Sequence, residues 1–93
     1  MKISAVEIRL YAPWVTSLKE KRMIIQSLCA KIRNKFNVSV AEVDEQNTHR
    51  TIVIGIACVS ESGGYAAGVT DKVISFIESA TQAEITEIQK EII

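Results

Sequence analysis

Six of the chain's eleven lysines and arginines fall between Ser17 and Phe36, in SLKEKRMIIQSLCAKIRNKF, beside a single acidic residue, Glu20. Cations at that density suit a polyanion or an acidic protein surface. As point charges and guanidinium forks they grip phosphates without reading bases, and such binding weakens as salt rises. Lys19, Lys21 and Arg22 open the stretch, and Lys31, Arg33 and Lys35 close it. These six are the candidate nucleic-acid contacts. Trp14, just upstream and beside Lys19 and Arg22 in sequence, is the candidate for stacking on a base. The competing role for a lone tryptophan after a proline is to cap the end of the core.

No other set of side chains assembles into reactive chemistry. Cys29 and Cys58 do not form a CxxC pair, and His49 is the chain's one histidine. A zinc site needs four spaced ligands, so no metal is expected. Both cysteines fall on apolar faces and read as small buried hydrophobes in a reducing compartment. No activated nucleophile and no paired acid and base is in view, so the chain is expected to be neither an enzyme nor a cofactor protein.

Ninety-three residues, nearly half of them apolar, make one domain spanning residues 1–93 with a core of its own. The opening MKISAVEIRL is broken by Glu7 and Arg9, and no apolar run approaches membrane length. The expectation is a soluble cytoplasmic protein with no membrane partner. Net charge is zero, but residues 1–36 hold eight cations and two acids, and residues 37–93 three cations and nine acids. The two halves therefore project opposite fields wherever they reach the surface.

The elements that must carry these residues can be read in order. ISAVEIRLY alternates, with Val6, Ile8 and Leu10 on one side, which predicts a strand that Pro13 ends. Ser17-x-x-Glu20 is a capping-box pattern, with Ser17 accepting from the amide of Glu20 and Glu20 reaching back to the amide of Ser17. Leu18, Ile25, Leu28, Cys29, Ile32 and Phe36 then share one helical face. Lys19, Arg22 and Arg33 flank that stripe on one side, and Lys21, Lys31 and Lys35 on the other. Asn37 ends the helix.

VSVAEV predicts a short strand whose inward face is ambiguous, and DEQNTHR a hairpin loop. TIVIGIACVS is apolar on both faces, as a central strand should be. ESGG reads as a loop before a second helix from Ala66 to about Ser79. The tail AEITEIQKEII fits either a helix or a strand. A strand is preferred, because without it the sheet keeps a bare edge.

The order is β-α-β-β-α-β, and right-handed crossovers put both helices on one face of a four-stranded antiparallel sheet. This is the ferredoxin-like sandwich, an α+β fold. RNA-recognition domains of this topology stack bases on aromatic residues of the sheet, and TIVIGIACVS carries none. Acylphosphatases of the same topology cradle phosphate in a glycine-rich loop, and here the loop is APWVTS. The outer sheet face, with Val53, Ala57 and Val59, suggests a second copy packed there. A homodimer could also pair the basic helix with the acidic second half, at Glu42, Asp44, Glu45, Glu84, Glu87 and Glu91. Against all contact readings stands a solvated scaffold helix, since charged helix flanks are ordinary.

SLKEKR (residues 17–22), FNVSVAEV (36–43), IGIACVS (54–60) and FIES (76–79), in this order, resemble the YlxP-like family of small bacterial proteins of unknown function. The resemblance covers essentially the whole chain. It implies a ferredoxin-like fold of about this length and no established catalytic activity. The family's genes commonly lie beside those for translation initiation and ribosome-binding factors, which implies a role in ribosome maturation or contact with ribosomal RNA. SLKEKR is the family's signature, so Lys19, Lys21 and Arg22 are contact candidates by resemblance as well as by charge. Relatives are expected to carry an aromatic residue near His49, and NTHRT here has none.

Overall fold

A computed structural model describes residues 1–93. The elements run β1 (Lys2–Tyr11), α1 (Leu18–Lys35), β2 (Ser39–Asp44), β3 (Thr51–Ser60), α2 (Gly63–Ala80) and β4 (Glu84–Ile92). One sheet has the strand order β2-β3-β1-β4, with every neighbouring pair antiparallel. The expected ferredoxin-like sandwich is the fold. No helix is long and apolar enough to cross a membrane.

Period-two alternation decides what each strand buries. Val6, Ile8 and Leu10 of β1 sit opposite Ile56, Ile54 and Ile52 of β3. All six are buried and pack with Ile25, Leu28 and Ile32 of α1 and Val73, Ile74 and Ile77 of α2. Each large side chain removed from water there stabilises the fold by roughly 1.5–3 kcal/mol. One polar pair interrupts this layer. Thr70 Oγ1 donates to the Ala67 carbonyl at 3.0 Å, so it is Ser4 that donates across the 2.8 Å contact between the two hydroxyls. The pair is buried and satisfied, and it ties α2 to β1.

β2 resolves its ambiguous face through a register shift between Glu42 and Asp44. Val40 points to the helices and is buried, while Val43 turns to the open side. Its Cγ1 would lie 2.7 Å from a Cβ added at Gly55, so glycine there is what lets Val43 lie flat on β3. The open-face patch is also smaller than the alternation suggests. Val53 is 1% exposed and Ala57 half-buried, which leaves Val59 as the exposed residue of the three.

The tail is a strand. Ile88, Lys90 and Ile92 share the helix-side face as partners of Ile8, Val6 and Ser4. Thr86 leaves that series at a bulge opposite Arg9/Leu10 and donates its hydroxyl to the Arg9 carbonyl at 3.2 Å. Two boundaries differ from expectation. Gly63 and Gly64 are not a loop but the first turn of α2, because Ser62 caps it by accepting from Tyr65 N at 3.2 Å. And α1 closes at Phe36, whose N–H donates to the Ile32 carbonyl, one residue before Asn37.

Candidate nucleic-acid interface

The first turn of α1 is built as the sequence implies, with one change. Ser17 is extended, at φ −150° and ψ 158°, and its hydroxyl accepts from Glu20 N at 3.1 Å. Glu20 does not reach back to Ser17. Its carboxylate accepts instead from the amide and hydroxyl of Thr16, at 3.3 and 3.2 Å.

Lys21 is not available to a phosphate. It is 1% exposed. Its ammonium donates to the carbonyls of Glu45 and Thr48, each at 2.6 Å, and lies 3.0 Å from Glu42 Oε2. The last contact has the distance of an ion pair without the alignment of a hydrogen bond. Helical phase explains the burial. Leu18, Lys21, Ile25, Leu28 and Ile32 recur at three and four residues, so Lys21 belongs to the apolar stripe and not to a flank. The loop it reaches is bent to meet it. Glu45 has φ 57°, the left-handed region, and its amide donates to Asp44 Oδ1 at 2.8 Å while Thr48 N donates to its carbonyl. That carbonyl and the carbonyl of Thr48 converge on Lys21.

The other five cations of α1 are exposed, and none is in an ion pair. The molecule's three ion pairs are Arg9–Glu87, Lys21–Glu42 and Lys90–Asp71. Lys19, Arg22 and Arg33 line the flank toward β2, as the helical phase implies. Arg33 is half committed there, since its Nη2 donates to the Val40 carbonyl on the edge strand at 2.7 Å. Beneath this flank, burial pushes the Cys29 thiol above its ordinary value of 9.0, against the pull of Arg33 and with a smaller push from Glu42. Cys29 is thus an inert core thiol.

Lys31 and Lys35 line the opposite flank, toward α2. Lys31 borders a groove of about 370 Å³ with Trp14, Met23, Ala80 and Gln82. Trp14, 43% exposed, therefore stands with Lys31 and not beside Lys19 and Arg22, because the APWVTS loop lays it against the α2-facing side of α1. One turn further, Lys35 and Lys72 border a second groove of about 490 Å³. Lys35 Nζ lies 4.9 Å from the centre of the Phe76 ring, which meets Phe36 edge-on at 5.7 Å. That contact fixes where the ammonium sits without neutralising it.

Sequence reasoning missed two cations. Lys72 is exposed on α2, where only the antiparallel packing of the helices brings it opposite Lys35. Arg50 donates Nε to the Val15 carbonyl at 3.2 Å, placing a cation against the loop that carries Trp14. Lys72 had no signal in the chain's order. Arg50 had a weak one, as the lone cation of a polar hairpin loop. His49 is half-buried in the same loop.

Lys19 and Arg22 sit at the positive end of the helix dipole, where cations reduce helix stability, whereas Arg33 and Lys35 sit at the favourable end. The placement of the first pair is therefore not explained by the needs of the helix.

Among known proteins, the chain is similar to an uncharacterized protein, YlxP, of Bacillus subtilis (strain 168). The two are 39% identical over 70 residues, covering 75% of this chain and 76% of the relative. Residues 3–90 match the family described as "Protein of unknown function (DUF503)", so the sandwich and its basic helix belong to a DUF503, YlxP-like protein.

Proposed function

We propose that the protein is a non-catalytic accessory factor that holds single-stranded RNA along the seam between α1 and α2. The observation that carries this reading is one coincidence. Lys31, Lys35 and Lys72 face the seam without an acidic partner in an ion pair, the one acid bordering it, Asp71, is paired with Lys90, and Trp14 stands exposed at its end. A cationic groove that tracks a backbone, with an aromatic face for a base, is the usual arrangement for a single strand. Lys31 and Lys35 are about 6 Å apart along the helix axis, so both can meet one strand. Lys19, Arg22 and the free part of Arg33 extend the positive field over the other flank. Ribosomal RNA in the cytoplasm is the target this reading takes, on the gene neighbourhood that the resemblance implies and on the two cysteines kept as buried thiols.

The test is the affinity of the purified protein for an unstructured RNA oligonucleotide from about 50 to 200 mM salt. Three to four phosphate contacts give a log–log slope of about −2 to −3. Replacing Lys31 and Lys35 by glutamate should flatten that slope by about 1.4. Trp14→Ala should cost about 1–3 kcal/mol with the slope unchanged. Ribosome co-sedimentation of the same variants then assigns the target. No binding at the lowest salt, or a Lys31→Glu/Lys35→Glu variant that binds like the parent, overturns the reading.

A further inference from the structure

The sheet has two outer edges, and they are finished differently. β2 is six residues long, is interrupted by the register shift between Glu42 and Asp44, and has its Val40 carbonyl taken by Arg33. Short length, irregularity and a covering cation all close an edge to further strands. β4 is nine residues long, and past the bulge at Thr86 it pairs regularly with β1 to Ile92.

The register says which backbone groups of β4 are free. Ile3 and Ile93 exchange both N–H···O bonds, at 3.1 and 2.8 Å. Such pairs alternate along an antiparallel ladder. Glu87, Gln89 and Glu91 therefore turn their N–H and C=O groups toward β1, and Ile88, Lys90 and Ile92 turn theirs outward. No side chain of the molecule bonds those outward groups. On the helix-side face, the helix layer stops short of the same segment. Ile88 is 37% and Ile92 48% exposed, while their β1 partners Ile8 and Ser4 are buried. Free backbone groups and uncovered isoleucines coincide.

We propose that β4 pairs antiparallel with β4 of a second copy, about a two-fold axis at Lys90, joining two four-stranded sheets edge to edge. Facing residues of two strands must share a face, and side-chain chemistry selects the register. With the axis at Lys90, Ile88 faces Ile92 of the second copy, twice by symmetry, and Gln89 faces Glu91. All three outward residues then meet outward residues, and each such pair exchanges two backbone hydrogen bonds. An axis at Gln89 would set Glu87 against Glu91, and one at Glu87 or Glu91 would set that acid against itself. An axis at Ile88 would call on Thr86, at the bulge, as a ladder partner. The Lys90 axis brings two ammonium groups together, but each arrives with Asp71 3.2 Å away, which offsets the opposition. An unrelated strand could satisfy the backbone groups, but only a second copy matches the isoleucines by symmetry. The contact is isologous, so it closes at two copies and leaves neither edge free. The inference does not rest on the RNA seam, whose Lys31 and Lys35 lie on α1.

The test is sedimentation of the full chain, free of nucleic acid. Between about 5 μM and 1 mM it should show a reversible monomer–dimer equilibrium with a Kd of about 10–100 μM, as a small interface gives. Ile88→Lys with Ile92→Lys should raise that Kd at least about tenfold, with circular dichroism as the check on folding. Cysteine pairing, with oxidised glutathione as the oxidant, reads the register. Gln89→Cys with Glu91→Cys sets thiols opposite one another across the axis and should give a linked dimer on a non-reducing gel. Glu87→Cys with Glu91→Cys, opposed only if the axis lay at Gln89, should link at least about tenfold more slowly. The natural thiols, Cys29 and Cys58, are buried and do not compete. Lys31→Glu with Lys35→Glu should leave the dimer unchanged, which separates failure here from failure of the RNA reading. A monomer throughout the concentration range overturns the inference. So does a dimer that folded Ile88→Lys/Ile92→Lys leaves intact, or a Gln89→Cys/Glu91→Cys variant that links no faster than the shifted one. A dimer lost in Lys31→Glu/Lys35→Glu overturns it too, since the basic helix then holds the copies together.

Discussion

The two ends of α1 carry similar numbers of cations and use them differently. At its start, SLKEKR looks like a cluster of three. Helical phase splits it, turning Lys21 into the core while Lys19 and Arg22 stay in water. At its end, Lys31 and Lys35 are a turn apart, lie on one flank and share a seam with α2. A run of charge in sequence becomes a patch only where the helical period keeps it on one face. The signature at the start of the helix is therefore partly a record of packing.

Substitution sharpens the contrast. Lys21→Met should lower unfolding stability in a denaturant titration by about 3–5 kcal/mol, because Glu42 and two loop carbonyls lose a buried ammonium together. Lys31→Met should stay within about 0.5 kcal/mol of the parent, as exposed positions without partners do. Equal losses would collapse the distinction. A smaller effect tests whether the loop is bent for Lys21. Glu45→Gly keeps the carbonyl that Lys21 uses and relieves the residue at φ 57°, so stability should rise by up to about 1 kcal/mol. A fall would mean that the Glu45 side chain itself matters. The smallest effect lies midway along the helix, at Cys29. Its folded thiol titrates above 9.0, so above that pH the unfolded chain has released a proton that the folded chain retains. Stability should therefore decline as pH rises past about 9. That decline should be shallower in Cys29→Ala when each variant is measured against its own neutral-pH value.

The fold was legible because its signals were local and agreed. The alternation in β1 and β3, the serine cap of α1 and the one-sided apolar stripe each stand in a short window, and together they admit one topology. The tail was harder. Its isoleucines fit two periods, and the bulge at Thr86 interrupts the strand pattern within the segment. The glycines at the head of α2 hid a helix start that Ser62 announces only through its hydrogen bond.

The site was half legible. The charge excess is plain, but which cations face water is not: residue type puts Lys21 on a flank, although its spacing from Leu18 and Ile25 is that of a buried residue. A lysine is so seldom fully buried that residue type outweighed position. Trp14 and Lys72 reach the seam through contacts distant in sequence, which no local window contains.

Lys21 also bears on how the molecule opens. Hairpin loops ordinarily sample open states at little cost, and their amides exchange early. Here the β2–β3 loop is fastened from below by an ammonium that cannot leave without exposing the apolar stripe of α1. The loop and the first turns of the helix therefore belong to one cooperative unit. Amides around Glu45–Thr48 should exchange, and the loop should be cut by protease, at the rate of that unit's opening and not at that of a free surface turn.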